Sequence, residues 1–277
     1  MIKADKYYLK NLLGIKQTGC LDENPRPKWK DGTPAHTMFI SQVCENYDIS
    51  KGEFPITTLR NTAIKTGIKE ILWIYQKQSN SLEVAHNMGI NWWDEWNIGD
   101  ETIGQRYGAT VKKYQLIDKL LEGFEKDPFG RRHIMNLYQY NEFEKSKGLY
   151  PCAYETLWSV RKVQGMMYLD LTLIQRSNDY IMAGYINKIQ YVALQMMIAG
   201  HLGYKVGTFT HFVQNLHVYD RYFKAMDEII SRTPLEIQPK LILKERKNFY
   251  EYNLEDFQIE GIKDIKKLSF PLETSIS

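Results

Sequence analysis

From Asn187 to Gly200 the chain reads as a helix that is apolar on most sides. A helix without a broad polar face has to be enclosed by protein, so the rest of the chain must wrap around it. Residues 155–161 and 167–175 read as two strands joined by a turn at Gln164-Gly165. In the second strand Leu169, Leu171 and Leu173 alternate with Tyr168, Asp170 and Thr172, the period of a half-buried strand. Tyr114, Ile117, Leu121 and Phe124 recur at helical spacing, and Asp127-Pro128 ends that amphipathic helix. Residues 21–35, dense in turn formers and cations, read as a surface loop and not as a domain boundary. No repeat, low-complexity tract or long Pro/Gly/Ser linker divides the sequence, so residues 1–277 are expected to form one domain. Helices mixed with irregularly spaced strands predict an α+β fold with a large sheet and one core.

Composition narrows the function classes. With 43% hydrophobic and 25% charged residues, a mainly disordered, collagen-like or disulfide-scaffold chain is excluded. A formal net charge of +3 gives no broad basic surface for nucleic acid, whereas a small anionic ligand needs only a few well-placed Arg. Cys20, Cys44 and Cys152 lie far apart, with no CxxC and no Cys/His ligand spacing, so neither a disulfide framework nor a metal is expected. The start, Met-Ile-Lys-Ala-Asp-Lys, lacks the apolar stretch of a signal peptide, and the most apolar window, Tyr191–Gly203, is too short to span a bilayer. A cytoplasmic protein is expected.

Several residues are candidates for chemistry. A lone Cys is most often a small buried hydrophobe. Cys152, however, follows Pro151 and precedes a strand, where a loop meets a sheet. There it is a nucleophile if a neighbouring cation lowers its pKa. The run Gln175-Arg176-Ser177-Asn178-Asp179, at the end of the adjacent strand, holds such a cation. Polar strand ends are common turn chemistry, yet this set also suits an oxyanion, since Arg binds phosphate through paired hydrogen bonds. Arg131-Arg132 is either a solvated surface or a dianion clamp. In Trp92-Trp93-Asp94-Glu95-Trp96, three indoles in five residues exceed what one core position needs, and flat rings suit a flat ligand. His217-Val218-Tyr219 sets two polar rings on one face if it is a strand, though core His and Tyr are common. No single signal is specific; their order and spacing are.

Taken together the residues resemble the thymidylate synthase family, from about Phe54 to Phe257, and the divergent Bacillus-type branch in particular. The resemblance rests on Phe54-Pro55-Ile56-Thr57-Thr58, Glu70-Ile71-Leu72-Trp73, Trp93-Asp94-Glu95-Trp96, Tyr107-Gly108, Arg131-Arg132, Pro151-Cys152, Gln175-Arg176-Ser177 with Asp179 and Asn187, His217-Val218-Tyr219 and Glu255-Asp256-Phe257. It implies a large mixed β-sheet flanked by helices, with the sheets packed across the two-fold of an obligate homodimer. It implies dUMP as substrate, 5,10-methylenetetrahydrofolate as co-substrate and no metal. Cys152 would add to C6 of the pyrimidine with Arg176 stabilising the anion. Glu70 would organise water for proton transfers, and Tyr107 would help remove the C5 proton. Asn187 would read the N3 and O4 edge, alongside Gln175. The phosphate would lie among Arg176, Ser177 and the partner's Arg131 and Arg132, with His217 and Tyr219 on the deoxyribose hydroxyl. Trp93, Trp96 and Asp179 would line the folate site.

Departures from the family pattern suggest a second outcome. Ala153 follows the nucleophile where His is common, as the Bacillus-type branch allows. The usual phosphate-loop Arg has no match near Asp31-Gly32-Thr33-Pro34, leaving Arg26, Lys28 or Lys30 to replace it. Tyr185 stands for a rigid Pro near Asn187, Asn215-Leu216 for Gly-Asp, and the tail Leu272–Ser277 lacks the usual apolar ending. If those three changes open the pocket to water, the product is 5-hydroxymethyl-dUMP instead of dTMP. The related dCMP hydroxymethylases carry an acid at the position of Asn187, which argues against cytosine. A binding protein without turnover is disfavoured by the complete set of reactive residues.

Overall fold

The apolar segment around Asn187 forms a 19-residue helix, Gly184–Leu202, whose side chains are mostly buried. The computed structural model describes residues 1–270 and 272–275. In chain order the elements are α1 (Lys3–Thr18), β1 (Cys20–Leu21), β2 (Thr37–Asp48), α2 (Ile64–Ile71), α3 (Leu82–Asn87), α4 (Gly108–Tyr114), α5 (Leu116–Lys126), β3 (Ile134–Asn136), α6 (Tyr140–Phe143), β4 (Ala153–Val163), β5 (Met166–Gln175), β6 (Asn178–Asp179), α7 (Gly184–Leu202), β7 (Lys205–Tyr219), α8 (Phe223–Ser231), β8 (Lys240–Leu243) and β9 (Phe257–Glu260).

The main sheet runs β1-β2-β7-β5-β4-β3, with β6 beside β7, while β8 and β9 form a separate ribbon. β5 and β6 run parallel to β7 and the other pairs are antiparallel, so the sheet is mixed and the fold is α+β, as the sequence predicts. A parallel neighbour requires a crossover, and α7 supplies it between β6 and β7. Its flanks touch α2, α5, β5 and β7, which accounts for its nearly continuous apolar surface. Gly67 makes the α2 contact close: a Cβ there would come within 3.0 Å of Ile186. Strand alternation leaves the other sheet face with half-buried Phe212 and Ile174 beside exposed Leu157 and Cys44.

The expected hairpin is present, with Gln164 and Gly165 both at positive φ, the turn that matches strand twist. The helix expected through Tyr114 is two helices. Gln115 turns left-handed at φ 53° between them, and Tyr114 reaches Glu142 (2.9 Å), whereas Ile117, Leu121 and Phe124 enter the core from α5. The 21–35 segment is less superficial than expected. Leu21 pairs in β1, and Trp29 is 2% exposed with its indole N–H donating to Asp220 (3.1 Å). Among the described residues no helix is long and apolar enough to cross a membrane.

Candidate active site

The β4–β5 register sets Ala153 opposite Gln175, so the residues flanking that pair, Cys152 and Arg176, meet at one sheet end. Arg176 Nη2 lies 3.5 Å from Cys152 Sγ, and the same guanidinium donates to the carbonyls of Pro151 (3.0 Å) and Tyr150 (2.7 Å). The loop carrying the thiol is thus held by the cation that faces it. Burial pushes the thiol pKa up, while Arg176 and then Arg26 pull it down. The Cys152 amide donates to the Tyr107 hydroxyl (3.2 Å). Tyr107 itself sits at φ 44°, a strained backbone for a non-glycine residue and a common mark of a functional position. Gly108 follows because a Cβ there would meet the Ser79 carbonyl oxygen at 2.1 Å.

Two chambers share this thiol. The first, about 210 Å³, is lined by Glu70, Trp92, Trp93, Trp96, Tyr107, Gln175 and Asn187. Glu70 is buried on α2, and desolvation pushes its carboxyl up to about 7 against the hydrogen bond from Trp92. Trp92, not its two named neighbours, donates its indole N–H to Glu70 Oε2. Trp93 packs edge-on against Tyr107 and Trp96, with ring centres 5.1 and 5.3 Å away. The indole nitrogens of Trp93 and Trp96 are buried without a partner among the described residues.

The second chamber, about 250 Å³, is lined by Arg26, Arg176, Ser177, Asp179, His217 and Tyr219, with Cys152, Asn187, Trp96 and Thr274 common to both. Of the three loop cations considered, Arg26 faces this space; Lys30 is taken by Glu95 at 2.5 Å. The Asp179 carboxylate accepts the amides of Ile181 and Met182, and burial nonetheless raises it to about 7. His217 is kept neutral, its pKa lowered by burial to about 4. Its Nδ1 pairs with Asn215 (3.0 Å) and its ring packs on Tyr219 at 5.1 Å.

Arg131 and Arg132 do not join this cleft. Both are exposed and line a separate depression of about 880 Å³ with Phe129 and Ile134. In the sequence Trp92 was visible only as a member of a Trp cluster, and Arg26 as one of three loop cations able to replace the phosphate-loop Arg.

A family model described as Thymidylate synthase matches residues 6–274. The chain belongs to the thymidylate synthase family. It is 50% identical over 277 residues to a thymidylate synthase of Lactococcus lactis, covering 98% of this chain and 99% of that one. It is 49% identical, with the same coverage, to one of Streptococcus pneumoniae. Its fold superposes on thermostable thymidylate synthase A from Bacillus subtilis with a TM-score of 0.88 at 34% identity, covering 98% and 99% of the two chains.

Within that family frame the departures find places. Tyr185 lines neither chamber; it points into the core, its hydroxyl donating to the Ala4 carbonyl (2.5 Å). Its ring is an anchor for α1, which corrects the expectation that it reshapes the pocket wall. Thr274 and Ser275 reach the cleft, and Glu273 pairs with Arg221 (2.6 Å). The same guanidinium holds Asp31 (2.5 Å) and Thr33 (3.1 Å) of the 21–35 loop. The tail's Ile276 and Ser277 lie outside the described residues.

Proposed function

We propose that this cleft carries out the reductive methylation of dUMP to dTMP, with 5,10-methylenetetrahydrofolate supplying both carbon and hydride, and that the named residues divide the work as follows. The observation that carries the assignment is the Cys152 thiol at the junction of a cationic chamber and an indole-walled one. Arg26, Arg176 and Ser177 suit the phosphate, and His217 with Tyr219 suits the deoxyribose hydroxyl. Cys152 adds to C6 as thiolate, which makes C5 an enolate carbon able to attack the folate methylene group. Glu70, poised near neutrality, exchanges protons through water, and Tyr107 assists loss of the C5 proton. Elimination from the folate leaves an exocyclic methylene; hydride transfer completes the methyl group and Cys152 departs. Trp93, Trp96 and Asp179 bind the pterin.

Hydride, and not water, is the acceptor step this chain's relatives support. Of the changes that suggested water, Tyr185 faces the core and Asn215 serves His217. Mixing protein, dUMP and methylenetetrahydrofolate tests it: dihydrofolate and dTMP are expected in equal amounts, and hydroxymethyl-dUMP with unoxidised tetrahydrofolate would overturn the reading.

Asn187 Oδ1 accepts from Gln175 (3.3 Å) and Asn178 (3.1 Å), while its Nδ2 donates to Gln190 (2.9 Å). Both lone pairs of Oδ1 are thus taken and one Nδ2 hydrogen is left, which suits the O4 acceptor of uracil and not the N4 amine of cytosine. Asn187→Asp is expected to shift the kcat/KM ratio of dUMP to dCMP by roughly 100-fold toward dCMP, because a site built around one hydrogen-bond pattern rejects its complement. An unchanged ratio in steady-state assays would place Asn187 away from the base.

A homodimer completes the phosphate site in this reading. The half-buried apolar sheet face is its interface, and Arg131 and Arg132 reach into the partner subunit's cleft, which explains why they are exposed and outside their own. Arg132→Ala and Cys152→Ser homodimers should each be nearly inactive. Remixing subunits one to one should recover about a quarter of wild-type activity, because half the dimers carry one intact site of two. Failure to recover any activity after verified exchange would place the arginines in their own subunit's chemistry.

A further inference from the structure

Behind Asn187 lies a chain of side-chain amides that ends at a buried histidine. Gln190 Nε2 donates to the Gly67 carbonyl (3.2 Å), an atom that can only accept, so Gln190 must offer its oxygen to Asn187 Nδ2. On the opposite side Gln175 Nε2 donates to Asn187 Oδ1, which leaves Gln175 Oε1 facing inward. That oxygen accepts from Asn178 (3.1 Å) and meets Nε2 of His211 on β7 at 2.5 Å. An acceptor there requires His211 Nε2 to carry the hydrogen. His211 is 1% exposed, and its Nδ1 has no partner among the described residues.

The base of the network is an ion pair. Glu45 lies across from His211 in the β2–β7 register and binds Lys188 Nζ at 2.6 Å, both side chains being fully enclosed. Tyr47 (2.6 Å), Tyr180 (2.8 Å) and Asn11 (2.9 Å) donate to the same carboxylate. Burial and then the Lys188 ammonium push the imidazole pKa down to about 3, with Glu45 opposing, so the ring is neutral.

We propose that His211 is a positioning residue for base selection: its Nε2–H fixes the polarity of the Gln175 amide, which with Gln190 on the other side holds Asn187 in the sense that accepts uracil and refuses cytosine. This rests on Asn187 facing the base. Turning Gln175 over would set its oxygen against Asn187 Oδ1 and reward the opposite Asn187 orientation, the one a cytosine edge matches. With the His211 donor in place that turn also loses the donor's acceptor.

Two measurements test the assignment. Nitrogen-15 spectra of the histidine-labelled wild-type protein should show His211 as the neutral Nε2–H tautomer with dUMP bound; an Nδ1–H tautomer or an imidazolium would overturn the proposal. His211→Phe, once shown to be folded and dimeric, should lower the dUMP-to-dCMP ratio of kcat/KM by about 3- to 10-fold, the range for one hydrogen bond lost from an acceptor that Asn178 still serves. His211→Gln, which restores an amide donor, should recover most of that ratio. A folded His211→Phe enzyme with wild-type base discrimination would overturn it. A wild-type protein inert toward dUMP would instead strike the assigned function.

Discussion

Cys152→Ser is expected to lose at least ~10⁴-fold in kcat while still binding dUMP, the loss typical of removing an activated covalent nucleophile. The reason is acidity. A thiol ionises near the working pH and an alcohol does not, so the Arg176 guanidinium 3.5 Å from the sulfur can bring the thiolate within reach but not an alkoxide. In the free site burial still holds the thiol above its ordinary value, so the neutral form dominates before substrate arrives. Binding should persist because the cationic chamber owes little to the sulfur: Arg26, Ser177, His217 and Tyr219 are unchanged. Mass spectrometry with 5-fluoro-dUMP and methylenetetrahydrofolate should show a covalent ternary adduct in the native protein and none in the variant. A variant that turns over at the native rate, or traps the analogue, would remove the thiolate mechanism.

Glu70→Gln is expected to damage catalysis and strengthen the fold. Without a titrating group beside the pyrimidine and folate, kcat should fall by roughly 100- to 1000-fold, within the usual yield of general acid–base catalysis. The native pH–rate profile is expected to bend near 7 as Glu70 titrates, and Glu70→Gln should remove that bend while buried Asp179, also raised to about 7, keeps its own. For stability the folded-state pKa is raised from 4.5 to about 7, so between those values the folded chain holds a proton that the unfolded chain has released. Stability therefore falls as pH rises through that window, and above it the native protein bears the full burden of a buried carboxylate. Glutamine bears none and can still accept from Trp92. The variant should match the native protein at pH 4 and exceed it by about 3 kcal/mol at pH 8 in denaturant unfolding. Equal stability at both pH values would show that the carboxyl is solvated or paired.

Local patterns carried the parts of this structure that local physics decides. The crossover helix was legible because its apolar surface has no polar side to hide, and the 164–165 hairpin because alternation and a turn pair coincide. β2 and most of β7 were not singled out: buried Glu45 and His211 interrupt their inward faces with polar residues that only the Lys188 and Gln175 contacts explain. Tyr114 kept helical spacing across a left-handed Gln115 that spacing cannot register. At the site, block order named the thiol, the carboxyls and the amide. It did not separate Trp92 from its neighbours or Arg26 from Lys28 and Lys30, since those choices depend on where a loop comes to rest. Tyr185 was misjudged because adjacency to Asn187 along the chain says little about direction: successive positions on a helix point about 100° apart.

Arg221 joins two rims of the cleft. One guanidinium grips Asp31 and Thr33 on the side of the anion chamber and Glu273 on the tail, and all three partners sit at the solvent boundary. Either contact can part by itself, yet through the shared side chain each biases the other, and any such linkage is reciprocal. Exposed ion pairs are also weak and easily screened, so the shared fastening is readily undone. Mobile salt should slacken both borders together, and enzyme turnover by this chain should feel ionic strength at the second substrate as well as at the phosphate-bearing first.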